Sequence, residues 1–303
     1  MFVKDQDEDG GLGKDRLLEL FGATEEDKKR MESEGVRVPI PGQQHEELLL
    51  FDFRGPCPGL NAMANHGYIP RKGIATIDEF VHGTQEVFGM GGDLALLLSI
   101  IGVQMGGEIL SLSFSIGKGE NSILGPLLSG NGLTGSHNNY EADVSPTRGD
   151  FNNNHDVRMS QFLQLYNLQS NVSDPASQVN YDIDILTIFR LSRFQQSIAN
   201  NPYFFNGPIT GVLVQPAAYQ FIFHFTANKS EEYPEGRLDR EWPLFITAIQ
   251  KLILEVPRRL LGPGQERIPD NWYKRAIGDE YGLVSVLREA TSIGIAHPEF
   301  LSV

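Results

Sequence analysis

Apolar residues recur with a helical period along several stretches of the chain. Over residues 184–199 they approximate the three- and four-residue spacing of one helix face, which predicts an amphipathic helix with that face buried. The predicted face consists of Ile185, Ile188, Phe189, Leu191, Phe194 and Ile198. Similar patterns predict helices over residues 157–167 and 241–254, and a short one over 14–22. The longest apolar run, residues 94–103, is too short to cross a membrane and predicts a buried helix.

Short sequence signals set the starts of two further helices. Thr76 is followed three residues later by Glu79, a capping-box pattern that predicts a helix from there to about Phe88. Proline is favoured at the first position of a helix, so Pro58 predicts a helix whose N-cap is Cys57.

The chain divides into a charged, irregular beginning and a longer region with a predicted core. Residues 1–50 form the expected N-terminal extension, and residues 51–303 form one expected domain, since no repeat or second boundary interrupts them. Residues 115–155 are rich in glycine, asparagine and serine and predict a loop. Residues 209–226 fit either a turn with a short strand or a tightly buried helix. We therefore expect a mainly α fold with few short strands.

Composition narrows the classes of partner. The chain has 39 acidic and 25 basic residues and a net charge of −14, which argues against a nucleic-acid partner. Cys57 is the single cysteine, so neither an intrachain disulfide nor a zinc–cysteine cluster can form. Acidic residues stand where a secretory signal would carry basic ones, which favours an intracellular protein. We expect no membrane span and a monomer or homodimer.

Cys57 is the first candidate for a catalytic or ligand-binding residue. At a helix N-cap its sulfur would face the backbone N–H groups of Leu60 and Asn61, and this environment lowers a thiol pKa and favours the thiolate. Such a thiolate can be a nucleophile, a redox sensor or a metal ligand. A buried structural cysteine between two prolines is the alternative that these residues leave open.

The segment around Cys57, residues 54–73, resembles the axial-ligand segment of the fungal haem-thiolate peroxidases, the family of chloroperoxidase and the unspecific peroxygenases. Further blocks at residues 141–148, 151–156 and 189–204 resemble the same family in the same order. The resemblance implies a helical chloroperoxidase-like fold that encloses haem b, with Cys57 as the axial ligand of the iron. A thiolate in that position favours cleavage of the O–O bond of a peroxide.

The resemblance also implies a divalent cation, Mg²⁺ or a similar ion, beside a haem propionate. Its ligands would be the carboxylate of Glu141, the backbone carbonyl of Ala142 and the hydroxyl of Ser145. Oxygen ligands of this kind suit magnesium.

The chain departs from the family where a distal glutamate normally acts as acid and base on peroxide. The match places Ala218 at that position, or Ala217 with a slip of one residue, and no carboxylate occurs between Asp184 and Glu231. Gln215 and His224 are the nearby side chains that could take part, although His224 lies in a hydrophobic stretch typical of a core histidine. The expected apolar lining of the distal side is Phe88, Leu97, Ile101 and Phe221.

Three functions follow, and we favour the first. The chain would be a haem-thiolate peroxidase or peroxygenase that acts on a small apolar, aromatic or lipid substrate with altered acid–base equipment. Alternatively it would be a haem-thiolate isomerase or dehydratase that rearranges an organic hydroperoxide or another iron-binding substrate without hydrogen peroxide. The third possibility is a non-catalytic haem protein.

Overall fold

A computed structural model describes residues 53–119, 130–140, 142–150, 154, 157–169, 180–207, 210–238, 266, 268 and 272–297. The described part of the chain is mainly helical, which confirms the expected fold class. Its α-helices are α1 (Pro58–His66), α2 (Ile77–Phe88), α3 (Gly92–Gly106), α4 (Met159–Tyr166), α5 (Ile183–Asn200), α6 (Gln215–Thr226) and α7 (Leu283–Ala296). Two short antiparallel strands, β1 (Ile74–Thr76) and β2 (Ser113–Ser115), pair with Ala75 opposite Phe114.

The two predicted helix starts are confirmed. The Thr76 hydroxyl accepts a hydrogen bond from the Glu79 backbone N–H at 3.3 Å, and a Glu79 carboxylate oxygen accepts one from the Thr76 backbone N–H at 2.8 Å. Helix α1 begins at Pro58 with Cys57 as its N-cap. These features depend on residues that are neighbours in sequence, so the sequence alone predicts them well.

Helix α5 has nearly the predicted bounds, but the prediction of its buried face was partly wrong. Ile188 and Ile198 are 64% and 48% exposed, whereas Arg190 and Arg193 are buried. The guanidinium of Arg190 donates to Gln215, and that of Arg193 donates to the Ser145 carbonyl at 3.2 Å. Buried guanidinium groups with such partners displace apolar residues from the face that packs on the rest of the protein.

The other predicted elements differ in how far the structure describes them. The expected helix over 157–167 is α4 followed by a 3₁₀ turn, Asn167–Gln169. The ambiguous segment 209–226 is helical, with a π-helical turn, Thr210–Val214, before α6. The helices expected at 14–22 and 241–254 lie outside the described residues, as does the N-terminal extension.

The largest hydrophobic core joins α1, α2 and α3 to α6 and to the C-terminal part of the chain. Phe80 of α2 stacks on Phe114 of β2 with ring centroids 4.1 Å apart. Trp272 is almost completely buried, and its indole N–H donates to the Val87 carbonyl at 3.1 Å. These contacts join α2 to β2 and to the segment that contains Trp272. Within the described residues, no helix combines the length and hydrophobicity that a bilayer crossing requires.

Candidate active site

A cavity of about 300 Å³ lies among α1, α2, α3 and α6. All four residues expected as apolar lining (Phe88, Leu97, Ile101 and Phe221) lie in its wall. Further apolar side chains complete the wall, among them Phe80, Leu94, Phe114, Leu133, Leu213 and Phe225. Cys57 also lines this cavity, so the single thiol of the chain meets a predominantly apolar space.

The start of α1 determines the environment of Cys57. The Cys57 carbonyl accepts the first helical hydrogen bond from the Asn61 backbone N–H at 3.1 Å, so Asn61 does not face the sulfur as expected. Burial raises the pKa of the Cys57 thiol, whereas the backbone N–H groups of Leu60 and Gly59 and the charge of Arg148 lower it. Since burial has the largest effect, the expected lowering of this pKa was wrong for the thiol by itself. A bound metal ion would reverse the balance because it binds the thiolate.

A buried carboxylate contacts the Cys57 segment, and the sequence did not predict it. Glu266 is 8% exposed, and its Oε1 accepts hydrogen bonds from Asn61 Nδ2 and Arg148 Nη2, both at 2.9 Å. Asn61 also pairs with Gly55: its Oδ1 accepts from the Gly55 N–H at 3.0 Å and its Nδ2 donates to the Gly55 carbonyl at 2.9 Å. The available signal was the pair of asparagines, 61 and 65, on one face of a short helix, since buried amides require polar partners.

The same network extends along α1. Asn65 donates to the Glu266 carbonyl at 2.6 Å and accepts from Arg54 at 2.8 Å. His66, at the end of α1, accepts a hydrogen bond from the Ile268 backbone N–H at 2.9 Å. The buried face of α1 is therefore held by a chain segment about 200 residues away in sequence.

The expected cation ligands are only partly described. Glu141 lies outside the described residues. Ala142 and Ser145 line the cavity, and the Ser145 hydroxyl accepts a hydrogen bond from the Arg148 backbone N–H at 3.0 Å. Among the residues that the structure describes, no three His, Cys, Asp or Glu side chains converge as a metal site would require.

The distal candidates Gln215, Ala217 and Ala218 all line the cavity at the start of α6. Gln215 is buried, its carbonyl oxygen accepts from the Arg190 guanidinium, and its amide donates to the Asp143 carbonyl at 3.4 Å. Ala218 is exposed within this wall, whereas Ala217 is 4% exposed and belongs to the core. A longer side chain at position 218 would therefore enter the cavity.

One carboxylate, that of Asp143, occurs in the described lining of the cavity. Its Oδ1 lies 3.1 Å from Nε2 of His137, and its Oδ2 accepts a hydrogen bond from the Phe205 backbone N–H at 3.2 Å. Among the described residues, Oδ2 is thus hydrogen-bonded, whereas Oδ1 is buried next to His137 without a hydrogen bond.

The structure places His224 outside the described cavity wall. Its Nε2 lies 2.9 Å from a carboxylate oxygen of Glu289, and its ring stacks on Tyr281 with centroids 3.8 Å apart. Arg275 donates to its other ring nitrogen, Nδ1, at 3.2 Å. Burial lowers the pKa of His224, and the hydrogen bond to Glu289 opposes that effect. These contacts join α6 to α7 and give His224 the structural role of a core histidine.

We therefore expect His224→Ala to reduce stability and to leave the chemistry of the cavity intact. Loss of the bond to the partly buried Glu289 carboxylate should cost about 1–3 kcal/mol in the free energy of unfolding. Denaturant unfolding would measure this change, and Glu289→Gln is the matched variant, since it weakens the same contact. An unchanged stability together with a changed absorption spectrum of the haem-loaded protein would instead place His224 in the site.

Comparisons of the sequence with known proteins identify a family and several relatives. The family described as "Peroxidase, family 2" matches residues 39–277. An aromatic peroxidase of Fusarium equiseti is 39% identical over 264 residues, which cover 83% of this chain and 58% of the relative. A dothistromin biosynthesis peroxidase of Dothistroma septosporum is 36% identical over 247 residues, 80% of this chain and 57% of the relative. An aromatic peroxygenase of Cyclocybe aegerita is 35% identical over 159 residues, 50% of this chain and 41% of the relative. The chain thus spans somewhat more than half the length of the first two relatives.

Proposed function

The chain belongs to peroxidase family 2, and on that basis we propose that it is a haem-thiolate oxidoreductase of the peroxidase or peroxygenase type. The observation that carries the proposal is the position of Cys57 at the start of α1, in the wall of an apolar cavity. Haem b, when bound, supplies an iron at which a peroxide O–O bond is cleaved. Cys57 would bind that iron as thiolate.

The residues around the cavity fit haem. A large planar apolar group suits the ring of aromatic and aliphatic side chains, and a thiol is a suitable iron ligand. Haem also carries two propionate carboxylates, and the guanidinium of Arg148 is a positive charge in the cavity wall. Nη1 of Arg148 is buried and has no hydrogen-bond partner among the described residues. A propionate would satisfy this donor with a charge-assisted hydrogen bond.

The remaining wall supports a small aromatic substrate. Phe88, Phe221 and Phe225 present rings to the cavity, which would exclude water and pack on an aromatic molecule. Two relatives that bear the names aromatic peroxidase and aromatic peroxygenase support the same substrate class. Gln215, fixed by Arg190, would orient a polar group of the bound molecule without exchanging its proton.

An optical spectrum of the reduced protein with carbon monoxide tests the proposal. Thiolate-ligated haem gives a Soret band strongly shifted to the red relative to histidine-ligated haem. We expect that band in protein reconstituted with haem b. A histidine-type spectrum, or no stoichiometric haem binding, would contradict the proposed function.

We also propose a divalent cation, Mg²⁺ or a similar ion, bound by Glu141, the Ala142 carbonyl and the Ser145 hydroxyl. Ala142 and Ser145 line the cavity that would hold haem, and hard oxygen donors suit this cation. In this position the cation would neutralise a propionate and help to retain haem.

We expect Glu141→Gln to lower the cation content of the haem-loaded protein and to weaken haem retention, with affinity for the cation reduced by about 10-fold or more. Elemental analysis of protein never exposed to a chelator measures the content directly. Glu231→Gln removes an exposed carboxylate and is the control. Wild-type protein without a stoichiometric divalent ion would contradict this site.

The two alanines on the distal side favour a second candidate function. Neither Ala217 nor Ala218 can move a proton between the oxygens of hydrogen peroxide. A haem-thiolate isomerase or dehydratase that acts on an organic hydroperoxide would not need that shuttle to bind its substrate. Turnover of cumene hydroperoxide much faster than of hydrogen peroxide would favour this candidate, and no turnover of either would favour a non-catalytic haem protein.

A further inference from the structure

We propose that Glu266 is a positioning residue that sets the reduction potential of the haem bound at Cys57. Its carboxylate anchors the Cys57 segment through Asn61 and Arg148, and its charge offsets that of Arg148 beside the thiolate. The inference rests on the proposed function, since it concerns the same iron ligand.

The geometry shows how Glu266 reaches both sides of the Cys57 segment. One carboxylate oxygen, Oε1, accepts hydrogen bonds from Asn61 on the first turn of α1 and from Arg148 at the end of the block of residues 141–148. Arg148 also donates through Nε to the carbonyl of Pro56, the residue before Cys57, at 3.3 Å. Asn61 holds both backbone groups of Gly55. A single carboxylate therefore fixes the two groups that clamp residues 55–61.

The charges of this pair act on the same thiolate. Glu266 and Arg148 form an ion pair with 2.9 Å between Oε1 and Nη2, and both side chains are largely buried. Both charges influence Cys57: Arg148 stabilises the thiolate and Glu266 opposes it. Water screens such interactions weakly in a buried site. When both charges are present, the negative charge of Glu266 balances the positive charge of Arg148. The thiolate would therefore keep its electron density for the iron.

The direction of each effect on the potential follows from electrostatics. Reduction of ferric to ferrous haem adds one negative charge, so a nearby carboxylate disfavours it and a nearby guanidinium favours it. Glu266→Gln keeps the size of the side chain and an acceptor oxygen but removes the charge. We expect it to raise the ratio of ferrous to ferric haem about tenfold at a fixed ambient potential, which corresponds to about 59 mV for a one-electron couple.

The experiment is a redox titration of the haem-loaded proteins with dithionite and mediators, followed optically. The proteins are wild type, Glu266→Gln, Arg148→Gln and the double variant, with Glu231→Gln as a control for removal of an exposed carboxylate. Arg148→Gln should shift the ratio about tenfold in the opposite direction, and the double variant should return close to wild type. If Glu266 had a purely structural role, the two single variants would not shift the ratio in opposite directions and the double variant would not return close to wild type.

Several outcomes would overturn the inference. A wild-type potential in Glu266→Gln, or shifts of the same sign in both single variants, would exclude the charge balance. If Glu266→Gln does not retain haem, Arg148→Gln decides alone, and an unchanged or raised potential in that variant overturns the inference. If the wild-type carbon monoxide complex lacks the thiolate-type band, the proposed function fails and this inference fails with it. If wild type shows the thiolate-type band but the variants have the wild-type reduction potential, the inference is refuted and the proposed function is not.

Discussion

Cys57→Ala is expected to abolish the thiolate-type spectrum and to release most of the bound haem. Cys57 is the single cysteine of the chain, so no second thiol can replace it as ligand. Loss of residues that merely support a metal site typically costs about 10- to 100-fold in affinity or activity, and loss of the ligand should cost at least as much. Haem-to-protein stoichiometry and the spectrum with carbon monoxide measure both effects.

Cys57→Ser is the matched control for size, and far-ultraviolet circular dichroism separates loss of haem from loss of fold. Serine can cap α1, since it is among the preferred N-cap residues, but its hydroxyl does not give thiolate ligation. We therefore expect a folded protein with the same spectral loss. A wild-type spectrum in either variant would remove the basis of the proposed function.

Ala218→Glu is expected to increase turnover with hydrogen peroxide. Because Ala218 is exposed within the cavity wall, a glutamate there would extend into apolar space without displacing a core residue. Desolvation would raise the pKa of the new carboxyl toward a range useful for accepting and returning a proton. General acid–base groups contribute about 10²- to 10⁴-fold in rate. The resemblance that places Ala218 at the family's glutamate also places Gly211 and Ala142 where the family carries the arginine or histidine that orients it, so we expect a smaller gain of about 10- to 100-fold, up to the lower end of that range.

The assay is peroxide-dependent oxidation of a small aromatic substrate by haem-loaded protein. Ala217→Glu serves as the matched control, because Ala217 is buried in the hydrophobic core next to the same position. A glutamate at 217 should destabilise the protein and give less gain. If wild type already turns over as fast as Ala218→Glu, another group has taken the acid–base role.

The features that the sequence predicted well are local in the chain. The cap at Thr76 and the start of α1 both follow from residues a few positions apart. Local spacing determines which backbone groups need caps and which side chains share a face, so one segment is sufficient to predict them.

The features that the sequence did not predict depend on polar groups paired across long distances. The buried face of α5 contains Arg190 and Arg193, which an apolar pattern cannot identify, since their burial depends on partners in other segments. Glu266 joins Asn61 from 205 residues away. The stretch around His224 was typical of a core histidine, but the sequence could not identify Glu289 and Tyr281 as its partners.

The distance between Asn61 and Glu266 also fixes when this site can form during synthesis. A ribosome that adds about 5–20 residues per second needs roughly 10–40 s to extend the chain from the first of these residues to the second. Throughout that interval the amides of Asn61 and Asn65 lack their Glu266 partner, and His66 lacks Ile268. The Cys57 segment therefore reaches its final structure only after residues 266–268 have been made, and until then the apolar helices of the nascent chain are exposed to aggregation.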